Sequence, residues 1–243
     1  MRELLNILYC HGLGSSINNR VGTGLLQYFR NTPHYFERLL YRNPGSRNVL
    51  WNVSEWREDI EKREDIEKRV DGDEWVVIAS SAGCHAALNA AKNRPQNIKG
   101  LFLFCPGVSL TFNYVDAFFP GGSAALLKGK SLIHPASRGG HEALINRESL
   151  QHYLDTCVMK TEGPIDIRCP VSIVHGTRDE LVPCENSIAL SKRLLSPDVD
   201  LTLIPDGSHY LSVDDVTKEK LESFLATVLR YKYRSKERSS AKL

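Results

Sequence analysis

One stretch limits the possible folds more than any other, because it sets a serine where an apolar strand gives way to a helix. Trp75 to Ile78 is a continuous apolar run, His85 to Lys92 is helix-forming, and Ala79-Ser80-Ser81-Ala82-Gly83 joins them. A hydroxyl is a poor nucleophile until a fold exposes it and supplies a base. A sharp strand–turn–helix with small residues on either side of a serine does the exposing. The usual form of that turn is Gly-x-Ser-x-Gly. With Ser81 at the apex, Ala79 and Gly83 take the two tight positions; with Ser80 there, Ile78 would have to. Ser81 is therefore the candidate nucleophile, with alanine standing in for the first glycine. Alone, the segment also fits a small-residue strand end of any α/β protein.

Two later segments supply partners in a suitable order. Val171 to Val174 reads as a buried strand that runs into His175-Gly176-Thr177-Arg178-Asp179-Glu180-Leu181-Val182-Pro183. Asp200 to Ile204 reads as another, ending in Asp206-Gly207-Ser208-His209-Tyr210. Separately, Asp179 is a loop cap and His209 a turn residue. Jointly, an acid after one strand and a histidine after the next give a candidate catalytic set of Ser81, Asp179 and His209. In open α/β sheets, functional groups gather beyond the carboxyl ends of the strands, so the three can converge. Near the start, the strand-like Leu4 to Tyr9 leads into Cys10-His11-Gly12-Leu13-Gly14-Ser15-Ser16. A turn of this kind points backbone N–H groups at a developing oxyanion, together with the residue after the nucleophile. The candidate donors are Leu13 and Ala82. The competing reading, a phosphate cradle, is disfavoured, since no Lys-Ser/Thr follows and Ile17 stands where a third glycine would fall.

These segments resemble the α/β-hydrolases, and in detail the mitochondrial acyl-protein thioesterase and acyl-glucuronide esterase branch of that superfamily. The likeness is carried by the Ser-Ser turn, Cys169-Pro170 through Val182-Pro183, Leu195 to Asp200 leading to His209, and Trp56 to Ile60. It spans most of Asn6 to Val228 and is loose between Val108 and Met159. The resemblance implies an α/β fold: a mainly parallel sheet flanked by helices, with a small lid insertion and without the N-terminal hairpin of the full fold. It also implies hydrolysis of small-molecule carboxylic esters or thioesters, acyl-protein or acyl-CoA among them, through an acyl-serine and without cofactor or metal. Lipases, peptidases and catalytically silent binding modules of the same fold share this pattern. At the place of a family aspartate stands Leu39-Leu40-Tyr41-Arg42-Asn43.

The rest of the sequence reads as scaffold. A chain of 243 residues suits one domain over 1–230, with a lid insertion at about 106–163 and a basic tail at 231–243. Expected scaffold elements are a helix at Thr23 to Phe29, strands at Tyr35 to Tyr41 and Ile98 to Phe104, and a lid helix at Glu148 to Thr156. Val108, Phe112, Tyr114, Phe118 and Phe119 either line an acyl-accepting cleft or form the lid's own small core. Arg57 to Lys62 is repeated at once as Arg63 to Lys68, and on a helix Trp56, Ile60, Ile66 and Val70 share one face. A net charge of +2 argues against nucleic acid as a partner, and no run is long enough to span a bilayer. The six scattered cysteines read as reduced thiols. The ending Ala241-Lys242-Leu243 resembles the Ser-Lys-Leu peroxisomal address. The expectation is recognition by the peroxisomal import receptor in a eukaryotic source, and a cytoplasmic protein otherwise.

Overall fold

Apolar runs buried on both faces form parallel strands joined through helices. In the computed structural model, which describes residues 4–62, 74–136 and 140–240, the strands in chain order are β1 (Asn6–Cys10), β2 (Tyr35–Arg38), β3 (Trp75–Ser80), β4 (Ile98–Phe104), β5 (Leu132–His134), β6 (Ala143–Ile145), β7 (Val171–Gly176) and β8 (Val199–Ile204). Six of them make one sheet in the order β2-β1-β3-β4-β7-β8, every pair parallel. β5 and β6 form a separate antiparallel pair. The helices are α1 (Arg20–Phe29), α2 (Val53–Glu61), α3 (Ala82–Asn93), α4 (Gly122–Leu127), α5 (Arg147–Asp155), α6 (Cys184–Arg193) and α7 (Asp215–Ser240). Among the described residues, no helix is long and apolar enough to cross a membrane.

Successive strand residues point to opposite faces, so the sheet divides the core in two. Leu8, Val77, Ala79, Leu101, Leu103 and Ile173 pack with α2, α3, α5 and α6. Ile7, Tyr9, Val76, Ile78, Phe102, Phe104 and Val174 pack with α1 and α7. The helix after the Ser81 turn buries Ala86, Ala87, Ala90 and Ala91, and these small side chains let α3 lie close between the sheet and α2. From α2, the Trp56 indole N–H donates to the Asn43 carbonyl at 2.7 Å. Its ring stacks on Tyr41 with centroids 4.1 Å apart.

Several boundaries differ from the sequence expectation for local reasons. α1 starts at Arg20 instead of Thr23 because the Asn19 side chain accepts from the Gly22 N–H at 2.7 Å, a helix cap. β2 stops at Arg38, and Tyr41 leaves the sheet for its stack on Trp56. α7 runs unbroken from Asp215 to Ser240. Its later turns have partners on the body: the Tyr231 hydroxyl donates to Asp198, and Lys232 Nζ reaches the Leu4 carbonyl at 3.5 Å and Glu74 at 3.9 Å. The 106–163 insertion holds a 3-10 turn at Phe112–Ala117, then α4, the β5–β6 pair and α5. Asn146 and Ser149 cap α5 reciprocally. Trp56 and Ile60 are buried as their spacing required; the second copy of the repeat, with Ile66 and Val70, lies outside the described residues, as do Ala241, Lys242 and Leu243.

Trp56 is fully buried and both stacked and hydrogen-bonded. Trp56→Ala is expected to lower stability by about 3–5 kcal/mol, read as a lower midpoint in urea unfolding.

Candidate active site

β3, β4, β7 and β8 are neighbours in the sheet, and short turns leave their carboxyl ends at one edge. Ser81 follows β3 directly, with φ 52° and ψ −123°, a conformation that a residue with a Cβ adopts only when its surroundings enforce it. Here the Ser81 N–H donates to the Phe104 carbonyl at 2.9 Å, and its own carbonyl accepts from the N–H groups of Gly107 and Cys84, each at 3.0 Å. Close approach enforces the rest. A methyl group at Gly83 would lie 2.5 Å from the His11 carbonyl oxygen, and one at Gly12 would lie 2.8 Å from the Ser81 Cβ. The alanine in the first glycine's place, Ala79, is accommodated with no exposure. Ser80 Oγ instead lies 3.1 Å from the hydroxyl of Tyr9, which packs on the α1–α7 side. Cys105, Ser109 and Asp206 also have left-handed φ values, 43°, 54° and 57°. All four lie within five residues of a strand's carboxyl end.

The acid and the histidine meet. Asp179, in the turn after β7, has a fully buried side chain. Its Oδ1 accepts from the N–H groups of Leu181 at 2.9 Å and Val182 at 2.8 Å. Its Oδ2 accepts from His209 Nδ1 at 2.7 Å and from His175 Nε2 at 3.0 Å. Burial on its own raises the carboxyl's pKa; the bonds from His175, His209 and the Val182 amide outweigh it and hold the group below the usual carboxylate range. An ionised Asp179 only accepts, so the His209 nitrogen bonded to it, Nδ1, carries a hydrogen and Nε2 is left on the far side of the ring. Ser81 Oγ and His209 are not joined by a hydrogen bond in this structure.

The Gly-rich turn after β1 lies against Ser81 through Gly12. Its His11 is buried and bonds the Gly12 carbonyl through Nδ1 at 2.9 Å. Burial pushes His11 down to about 4, so it is neutral near pH 7. The ring packs edge-on against Tyr41 at 4.8 Å and Trp56 at 5.6 Å, and the Tyr41 hydroxyl donates to the His11 carbonyl at 3.3 Å. The Leu39 to Asn43 segment thus supports this turn from below. Leu13 packs against the core. Ala82 is the first residue of α3, where a backbone N–H has no acceptor within the helix.

Of the lid residues singled out in the sequence, Val108 is fully buried, and Phe112, Tyr114 and Phe119 pack partly buried against the main core. Phe118 lies 4.4 Å from the His134 ring and 5.9 Å from Tyr114. Sequence reasoning passed over His175, Ser187 and Tyr153. His175 carried a signal, a lone imidazole closing an apolar strand four residues before the acid. Tyr153 did not: its hydroxyl donates to the Gly107 carbonyl at 2.5 Å, a pairing between distant segments. None of the six cysteines is in a disulfide, and Cys10 and Cys84 are buried. Cys105, Asp179 and His209 are the one group among the described residues with metal-ligating atoms within 4.8 Å of one another. Each Asp179 oxygen already takes two donors, so the group is assembled as a hydrogen-bond network.

No protein-family model matches the chain. It is 26% identical over 215 residues to the rat mitochondrial palmitoyl-protein thioesterase ABHD10, across 84% of this chain and 68% of the relative. Among solved structures, mouse ABHD10 superposes with a TM-score of 0.72 at 24% identity, covering 93% of this chain and 90% of its own. A monoacylglycerol lipase from Paleococcus ferrophilus gives 0.68 at 18% identity, covering 91% and 93%. The curated relatives are mitochondrial, as the rat and human proteins illustrate, and this overturns the peroxisomal placement drawn from Ala241-Lys242-Leu243. The ending is three residues long, whereas the likeness to these relatives runs through 84% of the chain. In sheet order and in these similarities, the chain has the fold of the α/β-hydrolases.

Proposed function

We infer that this protein hydrolyses thioesters or carboxylic esters of acyl groups through an acyl-serine intermediate, with Ser81, His209 and Asp179 as nucleophile, base and acid. The observation that carries the reading is the 2.7 Å bond from His209 Nδ1 to the buried Asp179 carboxylate, with a strained serine at the same sheet edge. The chain's likeness to palmitoyl-protein thioesterases favours long acyl chains on a protein cysteine or a comparable thiol such as CoA.

In the first half-reaction, Ser81 Oγ attacks the acyl carbonyl and gives its proton to His209 Nε2. The negative oxygen that forms is met by the N–H groups of Leu13 and Ala82. Collapse of this intermediate expels the thiol or alcohol, which takes the proton from His209. Water then attacks the acyl-serine, with His209 again accepting a proton and returning it to Ser81. Asp179 remains ionised, holding the ring orientation and stabilising the imidazolium. In this reading, Val108, Phe112, Tyr114, Phe118 and Phe119 form the wall nearest the acyl chain.

Ser81→Ala is expected to abolish labelling by a fluorophosphonate probe and to cut turnover by at least about 10³-fold, while Ser80→Ala keeps both. Labelling that survives in Ser81→Ala refutes the assignment. Across p-nitrophenyl esters of graded length, palmitoyl-CoA and a palmitoylated peptide, the expected response rises with chain length. Negligible rates on all of them would instead favour a binding module. Asp179 also predicts a pH effect on stability. Its folded pKa is depressed, so its stabilisation is complete above the unfolded value of about 3.9 and is lost as pH falls through the folded value. The stability advantage of the parent over Asp179→Asn, measured by chemical denaturation, should therefore be constant at neutral pH and shrink below about pH 4.

A further inference from the structure

We propose that His175 is a positioning residue: it fixes the Asp179 carboxylate from the strand side, so that His209 meets an acceptor already held in place. The inference rests on the serine-hydrolase reading above. His175 lies at the end of β7 with no exposure and makes three polar contacts. Nδ1 lies 2.6 Å from the hydroxyl of Ser187, itself fully buried on α6. Nε2 lies 3.0 Å from Asp179 Oδ2 and 3.0 Å from the Val182 carbonyl. A carboxylate and a carbonyl both accept, so Nε2 must carry the hydrogen. On the other side of the ring Nδ1 is engaged by the Ser187 hydroxyl. The surroundings thus fix which way the ring faces, and a buried imidazole with every group engaged does not rotate cheaply.

The consequence falls on Asp179. Two backbone N–H groups hold Oδ1, while the two histidines share Oδ2. His175 sits on a sheet strand and His209 on the loop after β8, so the strand-borne donor sets the direction in which Oδ2 faces the loop-borne one. The other titratable groups facing the carboxylate are Cys105, from the end of β4, and Cys184, at the start of α6. Burial pushes both thiols up, with Glu185 adding to the effect on Cys184, and both stay neutral. The nearby charges Arg178 and Asp206 pair with each other at the surface at 2.8 Å. His175 is therefore the donor through which the sheet reaches Asp179.

The test compares His175→Leu, His175→Gln and Ser187→Ala with the parent, each normalised to the fraction of molecules labelled by a fluorophosphonate. Without the His175 donor more of the Asp179 negative charge bears on the His209 ring, so the base keeps its proton to higher pH. His175→Leu should move the acid limb of the kcat/KM profile upward by about one pH unit and lower kcat by about 10–100-fold per labelled site, with KM near the parental value. His175→Gln, which retains a side-chain N–H of similar reach, should restore most of the limb. Ser187→Ala should shift it part of the way, and it decides the matter if His175→Leu does not fold. A merely structural role would lower the labelled fraction and leave the limb in place. That result, or a parental limb in Ser187→Ala, overturns the proposal. A parent enzyme that the probe does not label at Ser81 would instead overturn the serine-hydrolase reading itself.

Discussion

The buried carboxylate of Asp179 is the constraint around which this sheet edge is organised. A charge removed from water is costly unless donors surround it, and this one collects four, from its own turn, from β7 and from the loop after β8. The requirement fixes the turn Asp179 to Val182 tightly against β7. It also ties that turn to α6, because the Ser187 hydroxyl completes the His175 ring. The donors that would suit Asp179 to the proposed chemistry are the same ones that make it tolerable in the interior.

A second set of contacts works on the other side of Ser81. Gly12 lets the first turn approach the serine, and Tyr41 and Trp56 brace His11 behind it. From the lid, Tyr153 grips the Gly107 carbonyl, and the Gly107 N–H grips the Ser81 carbonyl. A helix of the insertion is therefore coupled to the serine turn through a single intervening residue. Apolar packing supplies the depth of the core, while these few polar bonds determine where the edge residues face.

The architecture was legible because parallel strands buried on both faces appear as plain apolar runs, and Ile98 to Phe104 is a strand with the bounds its sequence announces. The Asp179–His209 pairing was legible for a different reason: each follows directly from the end of a strand, so short turns leave little freedom. Features that depend on side-chain partners distant in sequence were not legible. The continuation of α7 rests on Tyr231 and Lys232 finding Asp198, Leu4 and Glu74. Asn19 capped α1 where the apolar pattern alone placed the start three residues late. A three-residue C-terminal ending, with no physical context to weigh it against, pointed to the wrong compartment.

The left-handed backbone at Ser81, Cys105, Ser109 and Asp206 is gathered beside one edge of the sheet, where glycine would sit more easily. Among the described residues, the non-glycine positions with left-handed φ all follow the carboxyl ends of strands, and the tension is concentrated there. Variants selected only for heat resistance would tend to accumulate changes that ease this tension, and with it the poise of the serine. Engineering for robustness without loss of rate therefore belongs at the far side, among the loops that enter the strands.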